Sequence, residues 1–139
     1  MSDERQAGVD LFNETWQLIE SRGDDDLMVD CAHASAYHWA IALECKPENR
    51  ARSAWLLSRV YSLVGRTEPA LHHAERCFQL CERHALGDWD LAFAYEALAR
   101  ASGVAGDPEA VQQYVELARA VEIREADDRA HLEGDLATL

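Results

Sequence analysis

Positive charge, long apolar runs and short catalytic motifs are all scarce in this sequence of 139 residues. Lys and Arg number 13 against 26 Asp and Glu, which gives a net charge of -13. The shortage of bases argues against nucleic acid and against anionic membrane surfaces as partners, because both attract basic patches. No apolar run approaches the ~18–20 residues that a membrane-spanning helix needs.

The acidic residues gather towards the two ends of the chain. Residues 1–30 have a net charge of -7 and residues 107–139 of -6, whereas residues 31–106 are neutral. We interpret both ends as solvated helix faces. The polar, acidic start also lacks the basic and apolar regions of a secretory signal, so we expect a cytoplasmic protein.

Four cysteines are present, and a reducing compartment would keep them as thiols. We expect Cys31, Cys77 and Cys81 to pack as small apolar side chains in the core, whereas Cys45, at a helix end, is left open. Cys77 and Cys81 are one helical turn apart, which is not the spacing of a CxxC redox motif.

Helix start and stop signals recur along the chain, and no segment alternates apolar and polar residues as a half-buried strand does. Pro47 and Pro108 suit first helical turns, and Gly65 and Gly106 suit helix ends. The pattern predicts a single all-α domain over residues 1–139. Its seven helices are expected at about 3–22, 25–45, 48–64, 68–85, 89–104, 108–123 and 126–137.

Helices 48–64 and 89–104 carry apolar residues in nearly every direction. A helix of this kind is buried between neighbours on several sides, which favours stacked helical hairpins over a simple bundle of surface helices. Two stretches, about 51–85 and 89–123, also resemble each other, with their turn glycines 41 residues apart.

These stretches carry the signature positions of a known repeat. Five residues of the first fall on its Leu, small, Tyr, Gly and Ala positions: Leu57, Ser58, Tyr61, Gly65 and Ala70. In the second stretch, four residues fall on the Leu, small, Gly and Ala positions when the alignment omits one residue after the glycine: Leu98, Ala99, Gly106 and Ala110. The chain therefore resembles the tetratricopeptide repeat family, although Ser102 and Ala74 replace two signature aromatics. Its period exceeds the usual ~34 residues and resembles the longer repeats of kinesin light chains.

The resemblance implies a stack of antiparallel helical hairpins whose concave groove binds a protein or peptide. It places seven side chains in that groove: Arg52, Trp55, Arg59, Ser62, Phe93, Glu96 and Arg100. Arginine and aromatic side chains suit a ligand with acidic or C-terminal carboxylate groups. Alternatively, the arginines pair within the fold, Arg100 with Glu96 and Arg59 with an acid on helix 25–45.

The stretch LHHAERCFQLCERH, residues 71–84, raises the alternative of a metal site. On a helix, its cysteines lie on the apolar stripe, and His73 and His84 are about 16 Å apart along the axis, so one zinc ion cannot bind both. We therefore favour packing. The alternative function is a small metal-binding protein or metalloenzyme with ligands from this set: His33, His38, Cys77, Cys81 and His84. We expect His38 to form a hydrogen bond to another helix.

No nucleophile elbow, phosphate loop, dinucleotide fingerprint or HExxH motif is present. We therefore predict a small non-catalytic adaptor without a cofactor, and not an enzyme. Helix 3–22 holds more apolar surface than a solvated cap should show, in Leu11, Phe12, Trp16, Leu18 and Ile19. Two recognisable repeats also fall short of the ~three usually needed to bury a continuous core. On these grounds we expect self-association, as a homodimer; alternatively, helices 3–22 and 126–137 cap the stack.

Overall fold

The structure is a computed structural model that describes residues 2–139. Seven α-helices occur in that range: α1 (Asp3–Ser21), α2 (Asp25–Ile41), α3 (Pro47–Leu63), α4 (Thr67–Arg83), α5 (Asp88–Val104), α6 (Pro108–Ala120) and α7 (Ala126–Leu136). Helices make up 80% of the chain, and residues 2–139 contain no strand, so the predicted all-α fold is confirmed. None of these helices combines the length and apolar character needed to cross a membrane.

The end of α2 differs from the prediction, because the helix stops at Ile41 and not at residue 45. Ala42 adopts extended backbone, with φ -67° and ψ 141°, and a turn follows it. Ser2 donates both its backbone N–H and its hydroxyl to the Glu44 carboxylate, and this contact holds the turn against the start of α1. The residues predicted to form the last turn of α2 therefore form the connection from α2 to α3, which contacts the start of α1.

The end of α6 also comes earlier than predicted, at Ala120 and not at residue 123. Val121 adopts extended backbone, and the Arg129 guanidinium of α7 donates to the carbonyls of Arg119 and Val121. An arginine from another helix thus satisfies backbone groups that a helix end leaves without partners.

Two equivalent turns close the hairpins α3–α4 and α5–α6. Gly65 has φ +75° and Gly106 has φ +78°, a left-handed conformation that glycine adopts without steric cost. In both turns the N–H of the following residue donates to the carbonyl five positions back, at 3.0 Å. This bond is the mark of the Schellman helix end. The end of α4 has the same bond, from the Leu86 N–H to the Cys81 carbonyl at 2.9 Å, but with Ala85 at φ +52°. The repeat inferred from the sequence therefore appears in the glycine at the left-handed position of both hairpin turns.

Consecutive helices pack against each other from α1 to α6, and α3 also packs against α5. The last helix, α7, returns to pack on α5. Trp55 of α3 lies at the centre of this stack, where it contacts all four apolar clusters of the core. The result is a compact seven-helix stack that is compatible with a helical-repeat fold.

The first hairpin depends on a close approach between α1 and α2. A Cβ atom on Gly8 would lie 2.7 Å from the Trp39 ring, so only glycine fits there. The Ser35 hydroxyl donates to the Gly8 carbonyl at 2.8 Å and fixes the same contact. Phe12 and Trp16 follow one and two turns after Gly8, on the adjoining part of the same side of α1, and pack against the core. The structure describes a single chain, so the expected homodimer stays a prediction.

Candidate functional site

The seven predicted groove residues separate into two halves. The ionic half contains Arg59, Glu96 and Arg100, which join Asp135 of α7 in a network of ion pairs. The aromatic half contains Arg52, Trp55 and Phe93, which line a cavity. The seventh residue, Ser62, has a buried hydroxyl that finds no hydrogen-bond partner in residues 2–139.

Glu96 is the centre of the ionic half, with only 1% of its surface exposed. Its carboxylate accepts the indole N–H of Trp55 at 3.0 Å and the Nε–H of Arg100 at 2.9 Å. Nη2 of Arg59 lies 3.8 Å away. A carboxylate removed from water is tolerated when it is paired and hydrogen-bonded in this way.

The C-terminal helix α7 covers the ionic half. Asp135 accepts a hydrogen bond from Nη2 of Arg59 at 3.2 Å, and Nη2 of Arg100 donates to the Asp135 carbonyl and to the Thr138 hydroxyl. The acid that meets Arg59 therefore lies on α7, and not on helix 25–45 as the alternative had it. The i, i+4 pair of Glu96 and Arg100 is confirmed.

Arg59 is held by aromatic rings as well as by acids. Its guanidinium carbon lies 5.7 Å from the ring centroid of Trp16 and 5.5 Å from that of Trp55. Only 11% of the side chain is exposed, and its buried Nε–H has no hydrogen-bond partner in the described chain. Arg59 is therefore part of the scaffold, with little surface left for a ligand.

The aromatic half is built from a row of rings. Trp16 contacts Trp55, Trp55 contacts Phe93, and Phe93 contacts Trp89, with ring centroids 5.7 to 5.8 Å apart. Together with Phe12 and Arg52 these rings line a cavity of about 240 Å³, which we name the aromatic cavity. The rings come from α1, α3 and α5, so three helices fix their positions.

Two small side chains leave room for the aromatic cavity. Ala51 and Cys77 form part of its wall where larger residues would fill it. A hydrogen bond with Cys81, together with burial, raises the pKa of Cys77 well above its ordinary value. The thiol therefore stays protonated and uncharged, and this part of the wall is apolar.

Arg52 stands at the rim of the aromatic cavity, with 37% of its side chain exposed. Its Nε and Nη2 donate to the two carboxylate oxygens of Asp90 at 2.9 and 3.1 Å. The guanidinium lies 4.5 Å from the ring centroid of Trp89. Arginine has five N–H donors. The edge formed by Nη1 and Nη2 therefore keeps donors that have no partner in residues 2–139.

Arg52 also links the aromatic cavity to two neighbours. The middle cavity, about 160 Å³, is lined by Phe12, Trp39 and Arg52 among others. The polar cavity, about 600 Å³, is lined by Trp39, Arg52 and charged residues of the α2–α3 connection. Because adjacent cavities share these side chains, they follow one another as a groove between α1 and α3. We use the word groove for these three cavities together.

The polar cavity has the charge pattern that best suits an anionic group. Its wall holds Arg5, Lys46 and Arg52 against Glu44 and Glu48, in a chain whose net charge is -13. Neither Arg5 nor Lys46 forms an ion pair within residues 2–139. Hydrogen bonds from Ser2 lower the pKa of Glu44 to about 2 and keep it engaged.

The residues of the metal alternative are spread over several contacts. His38 forms a hydrogen bond through Nδ1 with Glu4 of α1, which confirms the predicted bond to another helix. His33 shares a hydrogen bond with the Tyr61 hydroxyl at 2.8 Å, and His84 is exposed at the end of α4. Within residues 2–139, no three His, Cys, Asp or Glu side chains lie where one metal ion could reach them all. Cys31, Cys77 and Cys81 are buried thiols, as expected.

His73 belongs to a separate cluster between α2, α3 and α4. Its ring stacks on Tyr61, with centroids 5.8 Å apart, and Nη1 of Arg76 donates to its Nδ1 at 3.1 Å. Burial, and then the positive charge of Arg76, lower the pKa of His73 to about 4. The ring is therefore neutral at physiological pH and serves as a hydrogen-bond acceptor.

Comparison of the chain with protein-family models, with curated proteins and with solved structures yields no match. The similarity to tetratricopeptide repeats therefore depends on the signature residues and the repeated turn.

Several side chains of the site were not assigned to it from the sequence. Trp16 and Phe12 were attributed to self-association, although their i, i+4 spacing places both on one face of α1. Trp89 and Asp90 open α5, one turn before Phe93, and this spacing could have indicated a shared surface. No local pattern in the sequence indicates that Asp135 belongs to the site, because its contact with Arg59 spans 76 positions of the chain.

We expect Glu96→Ala to destabilise the protein by about 3–5 kcal/mol, because it leaves two largely buried arginines without their shared carboxylate. Glu133→Ala is the matched control. It removes an exposed partner of Arg119, and such pairs contribute at most about 1 kcal/mol. Chemical denaturation of both variants measures the two losses, and similar losses would contradict a scaffold role for Glu96.

We also expect stability to decline as pH falls from about 6.5 towards 4, in a way that depends on His73. The unfolded imidazole has the ordinary pKa of about 6.5, so over this window the unfolded state binds more protons than the folded state. Thermal midpoints at about pH 7.5 and about pH 5 measure the effect. The midpoint of His73→Gln should fall less than that of the parent protein, and equal falls would contradict the assignment.

Proposed function

We propose that the protein is a small, non-catalytic helical-repeat module that binds a partner protein or peptide through the groove between α1 and α3. One observation carries the proposal. Arg52 lines all three cavities of the groove and keeps an unpaired guanidinium edge at their junction. An arginine that lies between these cavities and keeps free donors can bind a carboxylate through two parallel hydrogen bonds.

The chemistry of the groove indicates the kind of segment that it binds. The aromatic cavity suits a large apolar side chain, because ring-lined pockets supply much of the binding energy at protein interfaces. Arg52, Arg5 and Lys46 suit carboxylate groups, and arginine forks bind carboxylates through two parallel hydrogen bonds. The partner segment therefore combines one large apolar residue with nearby acidic groups.

The proposed binding surface contains fewer residues than the groove that the family resemblance implies. Arg59 and Arg100 bind the end of α7, and Glu96 binds both arginines, so these three residues support the groove and do not contact the partner. Trp55 and Phe93 remain at the surface of the aromatic cavity. A tetratricopeptide-like identity is part of the proposal and is supported by the left-handed glycine at the same place in both hairpin turns, Gly65 and Gly106.

A cytoplasmic location is likewise proposed. The four cysteines are free thiols, and a reducing compartment keeps cysteines in this state.

Selection of random linear peptides on the purified chain tests the proposal. We expect the selected peptides to share a large apolar residue close to Asp or Glu. Arg52→Gln should weaken their binding about tenfold or more, because it removes a charge-assisted hydrogen bond. Arg83→Gln is the matched control, since Arg83 is exposed on α4 and forms no ion pair in residues 2–139. Equal binding to the parent protein and Arg52→Gln, or no selected peptide at all, would overturn the proposal.

A further inference from the structure

We infer that the aromatic cavity is also a binding site for a free small molecule, a planar aromatic monocarboxylate of about two fused rings. This inference goes beyond the proposed function, because it assigns a small molecule where that proposal assigns a protein segment. It depends on the size of the cavity, the rigidity of its wall and the charge at its rim.

The volume of the cavity sets the size of the molecule. An apolar cavity of about 150 Å³ in another protein accepts benzene, which has six heavy atoms. In proportion, the 240 Å³ of the aromatic cavity accommodates a group of about ten heavy atoms. Two fused six-membered rings have this size.

The wall favours a flat aromatic group. Trp55 and Phe93 meet edge to face, at an interplanar angle of 88°, and Trp89 and Phe93 do so at 81°. Neighbouring rings thus offer both edges and faces, the two surfaces that aromatic partners prefer to contact. Trp55 is also held by its hydrogen bond to Glu96, so this ring is in position before a ligand binds.

The charges around the cavity select the sign of the ligand. Arg52 lies over Trp89, and Arg59 lies beside Trp16 and Trp55, so the chain's own cations already occupy positions by these rings. Asp90 also lines the cavity, but it is bound by Arg52 and is 13% exposed against 37% for Arg52, so a cationic ligand at the rim would meet the guanidinium first. A neutral ligand would leave the Nη1–Nη2 edge of Arg52 unused. A carboxylate at the rim would use that edge, while Asp90 keeps the opposite edge.

Three naphthalene derivatives separate these possibilities: 1-naphthoate, the neutral 1-naphthylmethanol and the cationic 1-naphthylmethylamine. Each is titrated into the full chain while intrinsic tryptophan fluorescence is followed. Trp16, Trp55 and Trp89 line the cavity, so three of the four tryptophans report on its occupation. Equilibrium dialysis gives the stoichiometry.

We expect 1-naphthoate to bind one molecule per chain with a Kd on the order of 0.1 mM, as is usual for ligands of this size. The amine should bind at least about tenfold more weakly. Arg52→Gln should weaken 1-naphthoate about tenfold or more but leave 1-naphthylmethanol unchanged, and Arg83→Gln should affect neither.

Saturable binding of 1-naphthoate that depends on Arg52 supports the inference. It is overturned if the parent protein does not bind 1-naphthoate, if the amine binds as well, or if Arg52→Gln has no effect. The proposed function is judged separately, on peptides. If peptides bind in a way that depends on Arg52 but 1-naphthoate does not bind, the proposed peptide groove stands and the small-molecule site is overturned.

Discussion

The buried carboxylate of Glu96 is the constraint on which the concave side of the stack depends. A charge with 1% exposure must be paired, and its partners come from two helices. Trp55 and Arg59 approach from α3, and Arg100 approaches from one turn further along α5. Since Arg59 and Arg100 also hold Asp135, the same network attaches α7. One buried charge thereby sets the spacing of three helices.

This network determines which part of the concave side remains open. The α7 helix brings an acid to Arg59 and apolar residues to the core, so the ionic half is closed by the chain itself. Arg52 lies two turns before Arg59 on α3 and pairs with Asp90 of α5, and not with an acid of α7, at the rim of the aromatic cavity. Two arginines on one face of one helix therefore have different roles, one in the scaffold and one at the surface.

The sequence was sufficient to predict the helices but only part of the site. Helix ends follow from local signals such as Pro47, Gly65 and Gly106, so five of the seven helices agree closely with the prediction. The exceptions are α2 and α6, whose ends are bound by groups distant in the sequence. Ser2 binds Glu44 just after α2, and Arg129 binds the Val121 carbonyl at the end of α6. Similarly, the family register identified the helix face that carries Arg52, Trp55 and Arg59. The register could not show that Arg52 and Arg59 have different roles, because the acid that pairs with Arg59, Asp135, is far away in the sequence.

The free energies of unfolding of Arg52→Ala and Arg59→Ala, measured side by side by chemical denaturation, test this division most directly. Arg59→Ala removes a charge from a buried network and should lose about 3 kcal/mol or more. Arg52→Ala removes a side chain that is 37% exposed but leaves the Asp90 carboxylate, 13% exposed, without its partner, so it should lose a smaller amount, about 1–2 kcal/mol. Equal losses, or a larger loss for Arg52→Ala, would contradict the division of the concave side into a closed ionic half and an open aromatic half.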